Sequence, residues 1–415
     1  MSDRDAVTHQ LVRDVDTEQR VTPLELFFDL VFVFGITQVT GFVAADPTWD
    51  GLLRGVLLLG AVWWAWAAYA WLTNTLNPEE GGVRIAVFCV IAAMLIVSLA
   101  VPKAFTTTGV TFGVAYFVVR ALHIVLYAIA GRGDHDLIGA VLRFAPTAVL
   151  GPGLLVIAGF FDGTTQLTLW GTALALDYLG AVIGRGRGWR ISPEHFVERH
   201  GLIVIVALGE SVVAIGVGAV GLPLDRGTIL VALLGITVIC ALWWSYFDWM
   251  AFVAQSRLAE ATGRDRASLA RDLYSYLHMP MVAGIVLFAV GVETTLAHGD
   301  EPLPTIPAVG LFGGLALYFA AHVALRLRTG GGWGHGRPIA TVLLLGLIPV
   351  ADGVPAVVAL ALAAAVCTAL ITYEALRYPY ARHWIRSRRG AFTREEADRV
   401  ASTRGRNPPP PLDAE

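Results

Sequence analysis

The sequence predicts an all-α fold, a polytopic integral membrane bundle of about twelve transmembrane helices. The first observation is composition, because hydrophobic residues make up 56% of the 415 residues and charged residues only 15%. A soluble domain carries about 25% charged residues. The second observation is a series of apolar runs of about 20 residues, the length at which a helix crosses a bilayer core of roughly 30 Å. The composition therefore excludes a nucleic-acid-binding protein, a secreted disulfide scaffold and a disordered chain.

Polar, Gly or Pro breaks separate these runs and set the limits of the spans. In order, the predicted spans are 24–44, 51–73, 83–101, 109–130, 137–160, 166–184, 199–220, 228–250, 273–297, 307–327, 338–352 and 355–377. The eleventh is short and ends in the stretch Pro349–Gly353, so the limits of the last two spans are open. The chain then divides into a cytoplasmic N-terminal segment at 1–22, two six-helix halves at 23–185 and 186–377, and a basic, Pro-rich cytoplasmic tail at 378–415.

Basic residues predict the orientation of the bundle. With twelve spans, the two termini and the even-numbered loops share one side, and nearly all of the 30 basic residues fall there. The exceptions are Arg54, Lys103 and Arg226 on the opposite side, and Arg120 and Arg143 within spans. Loops rich in Arg and Lys stay in the cytoplasm. We therefore expect a multi-pass protein of the bacterial cell (inner) membrane with both termini in the cytoplasm.

Three short matches relate the two halves in the same span order. They pair Trp63-Trp64 with Trp243-Trp244, Tyr116–Arg120 with Tyr318–His322, and Leu30–Gln38 with Leu202–Glu210. Halves of six spans would share one orientation, with a pseudo-twofold axis along the membrane normal. The matches predict a parallel 6+6 repeat in which spans 1 and 7 are equivalent, and chance matches between Trp- and Tyr-rich spans are the alternative.

Span 7 is rich in glycine. Its glycines are Gly201, Gly209, Gly216, Gly218 and Gly221. Small residues allow two helices to approach closely. We therefore expect close packing of span 7 against its neighbours, and hinge motion is a second interpretation.

Ionisable and polar side chains inside the spans mark the candidate site. A charge at mid-bilayer costs roughly 2.5–3.5 kcal/mol, so it needs a partner, water or a function. Most of these residues fall in the predicted cytoplasmic half, which predicts a polar, hydrated vestibule open to the cytoplasm. The candidate ion- or substrate-binding residues are Glu25, Asp29, Gln38, Arg120, His123, Arg143, Asp177, His200, Glu210, His278 and His322.

The expected roles follow from charge. Arg120 and Arg143 are the cations of the vestibule, and Asp29, Asp177 and Glu210 are their candidate counter-ions. Asp29 and Glu210 would bind a cation or a proton, and the histidines could relay protons because histidine titrates near neutrality. The alternative is structural, since buried Arg–Asp pairs can tie helices together without transport and a lone histidine can be a packing residue.

Motifs of soluble enzymes are absent from the sequence. It contains no P-loop, GxSxG, HExxH or paired CxxC motif, and it indicates no cofactor. His195 and His200 resemble a metal cluster, but their five-residue spacing makes them diverge on a helix. Cys89, Cys240 and Cys367 lack metal-ligand spacing. We expect no enzyme activity, no metal site and no disulfide.

The start of span 1 carries a family resemblance. Residues Glu25–Phe32 read Glu-Leu-Phe-Phe-Asp-Leu-Val-Phe, which resembles the signature of the bacterial low temperature requirement A (LtrA) family. The stretches Glu198–Gly201 and Leu208–Ser211 resemble a second landmark of that family. The resemblance covers roughly residues 20–380. It implies a membrane protein linked by name to growth in the cold, without a defined biochemical activity.

A remoter similarity concerns a channel family. The pattern of Leu24–Thr37 is similar to the first helix of the Phe-Ser-Asp-motif potassium channels of bacteria and endolysosomes. That family also uses six-helix repeats, and its first and seventh helices line the pore. Here Phe28 replaces the motif serine, and span 7 lacks the motif. By position, Phe34 would fall near the hydrophobic constriction of the channel, which makes it a gate candidate.

Three functions stay open from the sequence. The first is a transporter or channel-like permease for an ion or small solute. The second is a non-transporting sensor or scaffold for cold or envelope stress, and the resemblance to potassium channels adds a cation channel as a variant of the first. The third is a membrane-embedded enzyme acting on lipid. The predicted partners are the lipid bilayer and a small ion or solute, with no nucleic acid, and the oligomeric state is open.

Overall fold

Twelve helices form the bundle in the computed structural model, which describes residues 20–183, 188–189 and 191–378. We number them α1 to α12. They are Pro23–Ala45, Trp49–Thr73, Gly81–Lys103, Gly109–Ala130, His135–Ala158, Gly163–Ile183, Pro193–Gly218, Arg226–Glu260, Gly263–Ala297, Thr305–Arg328, Gly336–Gly353 and Ala356–Arg377. Each corresponds to one predicted span, which confirms the all-α class. The predictions for residues 1–19 and 379–415 lie outside the described residues.

The helices have the length that a membrane requires. Eleven of them are long and apolar enough to cross a bilayer, and α6 has 21 residues. At 1.5 Å of rise per residue, α6 is about 32 Å long. Short connections join consecutive helices, so they alternate in direction. We call the face at which α1 begins and α12 ends the terminal face.

Local chemistry fixes where several helices begin. Thr22 caps α1, and its side chain and that of Glu25 each accept from the other's backbone N–H in a capping box, with Pro23 at the first helical position. Asp225 caps α8 by accepting from the backbone N–H of Thr228. This hydrogen bond favours the ionised carboxylate and holds the pKa of Asp225 below its usual range.

Two features extend beyond the predicted spans. Helix α7 begins at Pro193, six residues earlier than predicted. Helices α8 and α9 have 35 residues each, about 52 Å at 1.5 Å per residue, so they project from the terminal face. The predicted loop between spans 8 and 9 is therefore a helical structure, which we call the projecting hairpin (residues 251–276). It includes a π-helical turn at Arg271–Tyr276.

The helices of the two halves pack in a matching order. Helix α1 packs on α3, α3 on α4, α4 on α5, α5 on α6 and α2 on α6, and the corresponding pairs recur from α7 to α12. This order is the one expected of a parallel repeat. The matched tryptophans nevertheless differ in environment, because Trp63 and Trp64 are buried whereas Trp243 and Trp244 are 47% and 38% exposed. The correspondence therefore concerns helix order rather than the surroundings of these side chains.

Candidate functional site

The predicted site residues lie in three separate groups instead of one chamber. Arg120, His123 and Asp177 line a cavity near the terminal face. A buried cluster between α1, α2 and α7 holds Glu25 and Asp29. Glu210 lies further from the terminal face. The expectation of a single wet vestibule that reaches Asp29, Arg120 and Glu210 is therefore wrong in the part of the chain that the structure describes.

The cavity has a volume of about 440 Å³. Its walls come from α2, α4, α5 and α6, from Trp189, and from the projecting hairpin. Arg264 and Asp265 of the hairpin line the cavity and are exposed, so it opens at the terminal face. Arg120 lies ten residues before the end of α4, about 15 Å along the helix. The cavity therefore reaches well into the bundle.

An ion pair lies at the inner end of the cavity. Arg120 Nη2 donates to Asp177 Oδ1 over 2.8 Å, and both side chains are almost completely buried. The hydroxyl of Tyr116 contacts Asp177 Oδ2 at 3.5 Å. The Nε and Nη1 atoms of Arg120 have no hydrogen-bond partner. The predicted Arg120–Asp177 pair exists, and it leaves part of the guanidinium unused.

His123 lies one helical turn from Arg120 on the cavity wall. Its Nε2 is 3.0 Å from the backbone oxygen of Ala68. Because a carbonyl oxygen only accepts, Nε2 carries the hydrogen, and the neutral ring presents Nδ1 as an acceptor. Nδ1 has no partner. The Nε and Nη1 atoms of Arg120 and the Nδ1 atom of His123 are therefore buried without hydrogen-bond partners beside the cavity.

Aromatic rings form much of the remaining wall. Trp189 meets Trp71, Tyr127 and Phe144 with ring centroids 5.6, 5.4 and 5.8 Å apart. Trp64 lines the same space and stacks on Tyr178 at 4.1 Å. Apolar walls with few polar groups are typical of small-molecule sites.

Charged residues of the projecting hairpin border the mouth. Arg271 Nε donates to Asp272 Oδ1 over 2.9 Å, and Arg328 of α10 donates to Asp272 Oδ2 over 2.9 Å. Ser275 accepts at its Oγ from Trp71 Nε1 and at its backbone oxygen from Trp63 Nε1. The π-helical turn thereby ties the hairpin to α2 at the cavity wall.

The buried cluster begins with a chain of hydrogen bonds at the start of α7. His195 Nε2 lies 2.9 Å from Glu25 Oε1, and the Asn74 amide lies 3.0 Å from His195 Nδ1. The same Asn74 accepts from the backbone N–H of Ser192 over 2.8 Å. These contacts join the terminal-face ends of α1, α2 and α7.

Arg199 completes this cluster. Its Nη2 donates to Asp29 Oδ1 over 2.9 Å, and its Nη1 lies 3.7 Å from Glu25. Trp66 Nε1 also donates to Asp29, over 2.9 Å. Arg199 is 0% exposed and Asp29 is 2% exposed. Asp29 therefore already has a cation beside it, in a dry environment.

The other predicted histidines, His200, His278 and His322, are also buried. His278 Nδ1 donates to Leu273 O, so Nε2 accepts from the Tyr246 hydroxyl at 2.8 Å. The rings of His200 and His278 are 5.4 Å apart. His200 and His322 each donate from Nδ1 to the carbonyl one turn earlier, and the Nε2 of each has no partner. His123 is the predicted histidine that lines the cavity.

Glu210 forms the third group with α1. It accepts a short hydrogen bond from the Thr37 hydroxyl. Eleven residues separate it from Arg199, which corresponds to about 16 Å of helix, and Ile203, Val204 and Ala207 in this interval are buried. Because α1 and α7 pack directly together, an apolar layer separates Glu210 from the buried cluster.

The other predicted residues lie apart from these groups. Arg143 is exposed on α5 and is not among the residues that line the cavity. Gln38 and Phe34 are half-buried on α1. Neither lines the cavity.

Sequence reasoning missed three buried residues. The predicted start of span 7 at residue 199 leaves His195 outside the span and Arg199 at its edge, although Ser192-Pro193 is a helix-start signal that places both residues inside the helix. Arg337 was assigned to a loop, and it donates to Glu374 over 2.9 Å between α11 and α12. Among the described residues, no group of three or more His, Cys, Asp or Glu side chains could hold a metal ion.

Comparison with known protein families identifies one family. Residues 20–372 match the family described as bacterial low temperature requirement A protein (LtrA). An uncharacterized protein of Rhizobium meliloti (strain 1021) is 30% identical over 328 residues, which cover 75% of this chain and 78% of that protein. No solved structure matches the chain.

Proposed function

This chain belongs to the bacterial low temperature requirement A (LtrA) family, and we propose that this multi-pass membrane protein is a permease for a small solute or ion. We place the terminal face in the cytoplasm, because the basic residues of the loops concentrate there. The proposal is for transport and not for enzymatic chemistry.

The single observation that carries the proposal is the cavity with Arg120 at its inner end. A buried ion pair is expensive, and hydrophobic residues in its place often stabilise a protein equally well. Here the pair faces a space of about 440 Å³ that opens at one face of the bundle. A membrane helix that retains a partly unpaired arginine beside such a space has the features of a solute site.

The apolar layer beyond the buried cluster supports a permease that works by alternating access rather than a channel with an open pore. Helices α1 and α7 pack directly together, and Thr37 of α1 donates to Glu210 of α7. These contacts close the route between the two helices. The cavity itself opens at the terminal face and ends at the Arg120–Asp177 pair, and a site accessible from one face corresponds to one state of a transporter. This arrangement favours the permease over the cation channel that the resemblance of span 1 suggested.

The non-transporting sensor or scaffold is a second candidate, and the buried cluster favours it. Its charges form closed contacts, with Arg199 between Asp29 and Glu25. Such contacts fix helices in place without any solute. Flux measurements separate the two candidates.

The test is flux in liposomes that contain the purified protein. Stopped-flow light scattering follows uptake of glycerol and nicotinamide, and fluorescent dyes follow H⁺, K⁺, Na⁺ and chloride. We expect protein-dependent flux of at least one probe. Ala68→Trp should abolish that flux, because Ala68 lines the cavity and the larger side chain would fill it.

Leu142→Trp is the matched control, since Leu142 is 68% exposed on the outside of α5. It should transport like the parent chain. Absence of flux for every probe in a folded, reconstituted protein would reject the permease and leave the scaffold. Equal flux in the Ala68→Trp protein would show that the cavity is not the route.

A further inference from the structure

We propose that Glu210 binds and releases a proton, and that this proton couples solute movement to the contact between α1 and α7. The inference rests on the proposed function, because it names the coupling ion of the same permease. Three features of the third group support it: its lack of a cation, the positions of its hydroxyl hydrogens and its place beyond the apolar layer.

Glu210 has an acidic neighbour instead of a basic one. Its side chain is 1% exposed. Helices α1, α2, α8 and α9 pack on α7, and among their described residues Glu293 of α9 is the charged group that acts on Glu210. A buried carboxylate without a cation is costly, and a second carboxylate nearby adds to that cost. A bound proton removes both penalties.

The hydroxyl of Thr37 contacts two acceptors. Its Oγ lies 3.1 Å from Val33 O and in hydrogen-bond contact with Glu210 Oε2. Because a hydroxyl carries one hydrogen, Thr37 can donate to only one of them. An ionised Glu210 takes that hydrogen. A protonated Glu210 instead donates to Thr37 Oγ, and Thr37 donates to Val33, so the protonated form makes one hydrogen bond more.

Thr40 gives the same carboxyl group a second hydroxyl oxygen. Its Oγ donates to Ile36 O over 3.1 Å and also faces Glu210. With its hydrogen used inside α1, this oxygen is an acceptor that suits a carboxylic O–H. Hard cations such as Ca²⁺ and Mg²⁺ take about six or more oxygen ligands. The direct contact between Thr37 and Glu210 leaves no space for an ion between these two oxygens, which favours a proton.

The site lies towards the face opposite the terminal face. Glu210 is eight residues before the end of α7, about 12 Å along the helix. Glu293 is four residues before the end of α9, about 6 Å along that helix, and it is half-buried. A Cβ on Gly218 would lie 3.4 Å from Glu293 Cγ, so Glu293 packs against the end of α7. A proton that leaves Glu210 can pass to the Glu293 carboxylate and then to water at this face.

The proton controls how firmly α1 holds α7 beyond the apolar layer. The protonated acid joins the helices through Thr37, as in the state that the structure describes. The ionised carboxylate needs water, which favours separation of the two helices and access from the opposite face. A ligand shifts a conformational equilibrium by its different affinity for the two states. Proton uptake therefore favours the state in which the cavity opens at the terminal face.

Infrared spectroscopy of the reconstituted full chain tests proton binding without any solute. A protonated carboxyl group shows a carbonyl band that a carboxylate lacks. We expect a band near neutral pH that Glu210→Gln loses, that weakens in alkaline buffer, and that shifts in Thr37→Val because the acid loses its hydrogen-bond partner. Asp50→Asn is the control, since Asp50 is 49% exposed at the same face, and its band should equal that of the parent chain. Thermal unfolding checks that each variant is folded.

Proton movement in liposomes tests the coupling. A pH-sensitive dye inside the vesicles follows the internal pH when glycerol, nicotinamide, K⁺, Na⁺ or chloride is added outside. We expect at least one probe to change the internal pH through the parent chain and through Asp50→Asn. Glu210→Gln should lose this change, because glutamine keeps a hydrogen-bonding side chain but cannot exchange a proton.

The outcomes separate proton binding from transport. The Glu210 band without flux of any probe would keep the proton site and reject the permease. Flux in a chain without that band would keep the permease and overturn the proton site. A Tm that rises with Na⁺ in the parent chain but not in Glu210→Gln would also overturn it, since the site would then hold a cation. Flux without any change of internal pH would overturn the coupling.

Discussion

Arg199 neutralises two buried acids at once, which makes it the most consequential side chain of the buried cluster. It pairs with Asp29 at 2.9 Å and lies 3.7 Å from Glu25. We predict that Arg199→Gln lowers stability by roughly 3–5 kcal/mol, because removal of one partner leaves a buried charge uncompensated. The measurement is the apparent Tm of the detergent-purified protein, followed by size-exclusion chromatography after heating.

A matched substitution tests this explanation. Arg54→Gln also breaks an arginine–aspartate pair, but Asp50 and Arg54 are 49% and 26% exposed. Such surface pairs contribute about 0–1 kcal/mol, so its Tm should stay near that of the parent chain. Adding Asp29→Asn to Arg199→Gln should recover part of the loss. Equal Tm values for Arg199→Gln and Arg54→Gln would contradict the role of the buried cluster.

At the scale of single residues, the sequence predicts which acidic residues are buried better than it predicts which basic residues pair with them. Asp29 and Asp177 stand out because carboxylates are rare within spans, and both are buried in ion pairs. Hydropathy places Arg199 at a span edge, since polar residues at the start of α7 lower the apolar average there. Arg143 stands out by the same rule as Asp29, yet it is exposed. Rarity in a span shows that a residue is unusual, but not which way its side chain points.

Helices α9 and α10 meet along a seam of glycines. A Cβ on Gly314 would lie 2.6 Å from the backbone oxygen of Gly284. A Cβ on Gly284 would approach the backbone oxygen of Gly314 just as closely. Backbone atoms cannot rotate away as side chains do. We predict that Gly284→Ala or Gly314→Ala lowers stability by about 1–3 kcal/mol, the usual cost of overpacking, measured as a lower apparent Tm.

Gly209→Ala in α7 is the control for the seam. A Cβ there would meet nothing within 4 Å, and alanine is the better helix former. Its Tm should be unchanged or slightly higher. If Gly209→Ala were as destabilising as Gly284→Ala, the loss would come from helix propensity or lipid contact and not from the seam.

The glycines show what a single sequence conveys about an element. Composition predicts close packing in span 7, but Gly209 and Gly216 face open space, whereas several glycines of other helices, Gly284 and Gly314 among them, lie against the backbone of a neighbouring helix. Glycine content does not reveal which helix is the neighbour. The projecting hairpin was missed for a related reason, because hydropathy detects where a helix is apolar and not where its polar continuation ends.

At the scale of the whole molecule, polar groups concentrate towards the terminal face and an apolar layer follows. The cavity, the buried cluster and His278 lie on the terminal side of this layer, and Glu210 lies beyond it. The sequence predicted this asymmetry from the order of the spans. It could not separate the cavity from the buried cluster, because that separation depends on how α2 packs between α1, α4 and α6.

The alternation of twelve helices makes a prediction about the two faces. Thr106 follows α3 on the face opposite the terminal face, Asp265 lies on the projecting hairpin, and both are exposed. With both termini in the cytoplasm, a membrane-impermeant maleimide should label Thr106→Cys in intact cells. Asp265→Cys should react after permeabilisation only. Cys367 is buried, and Cys89 and Cys240 are exposed on the outside of apolar helices that a bilayer would cover, so a membrane-impermeant reagent should leave the parent chain unlabelled. The reverse pattern would invert the orientation and turn the cavity towards the outside of the cell, and labelling of both positions from one side would contradict the helix alternation itself.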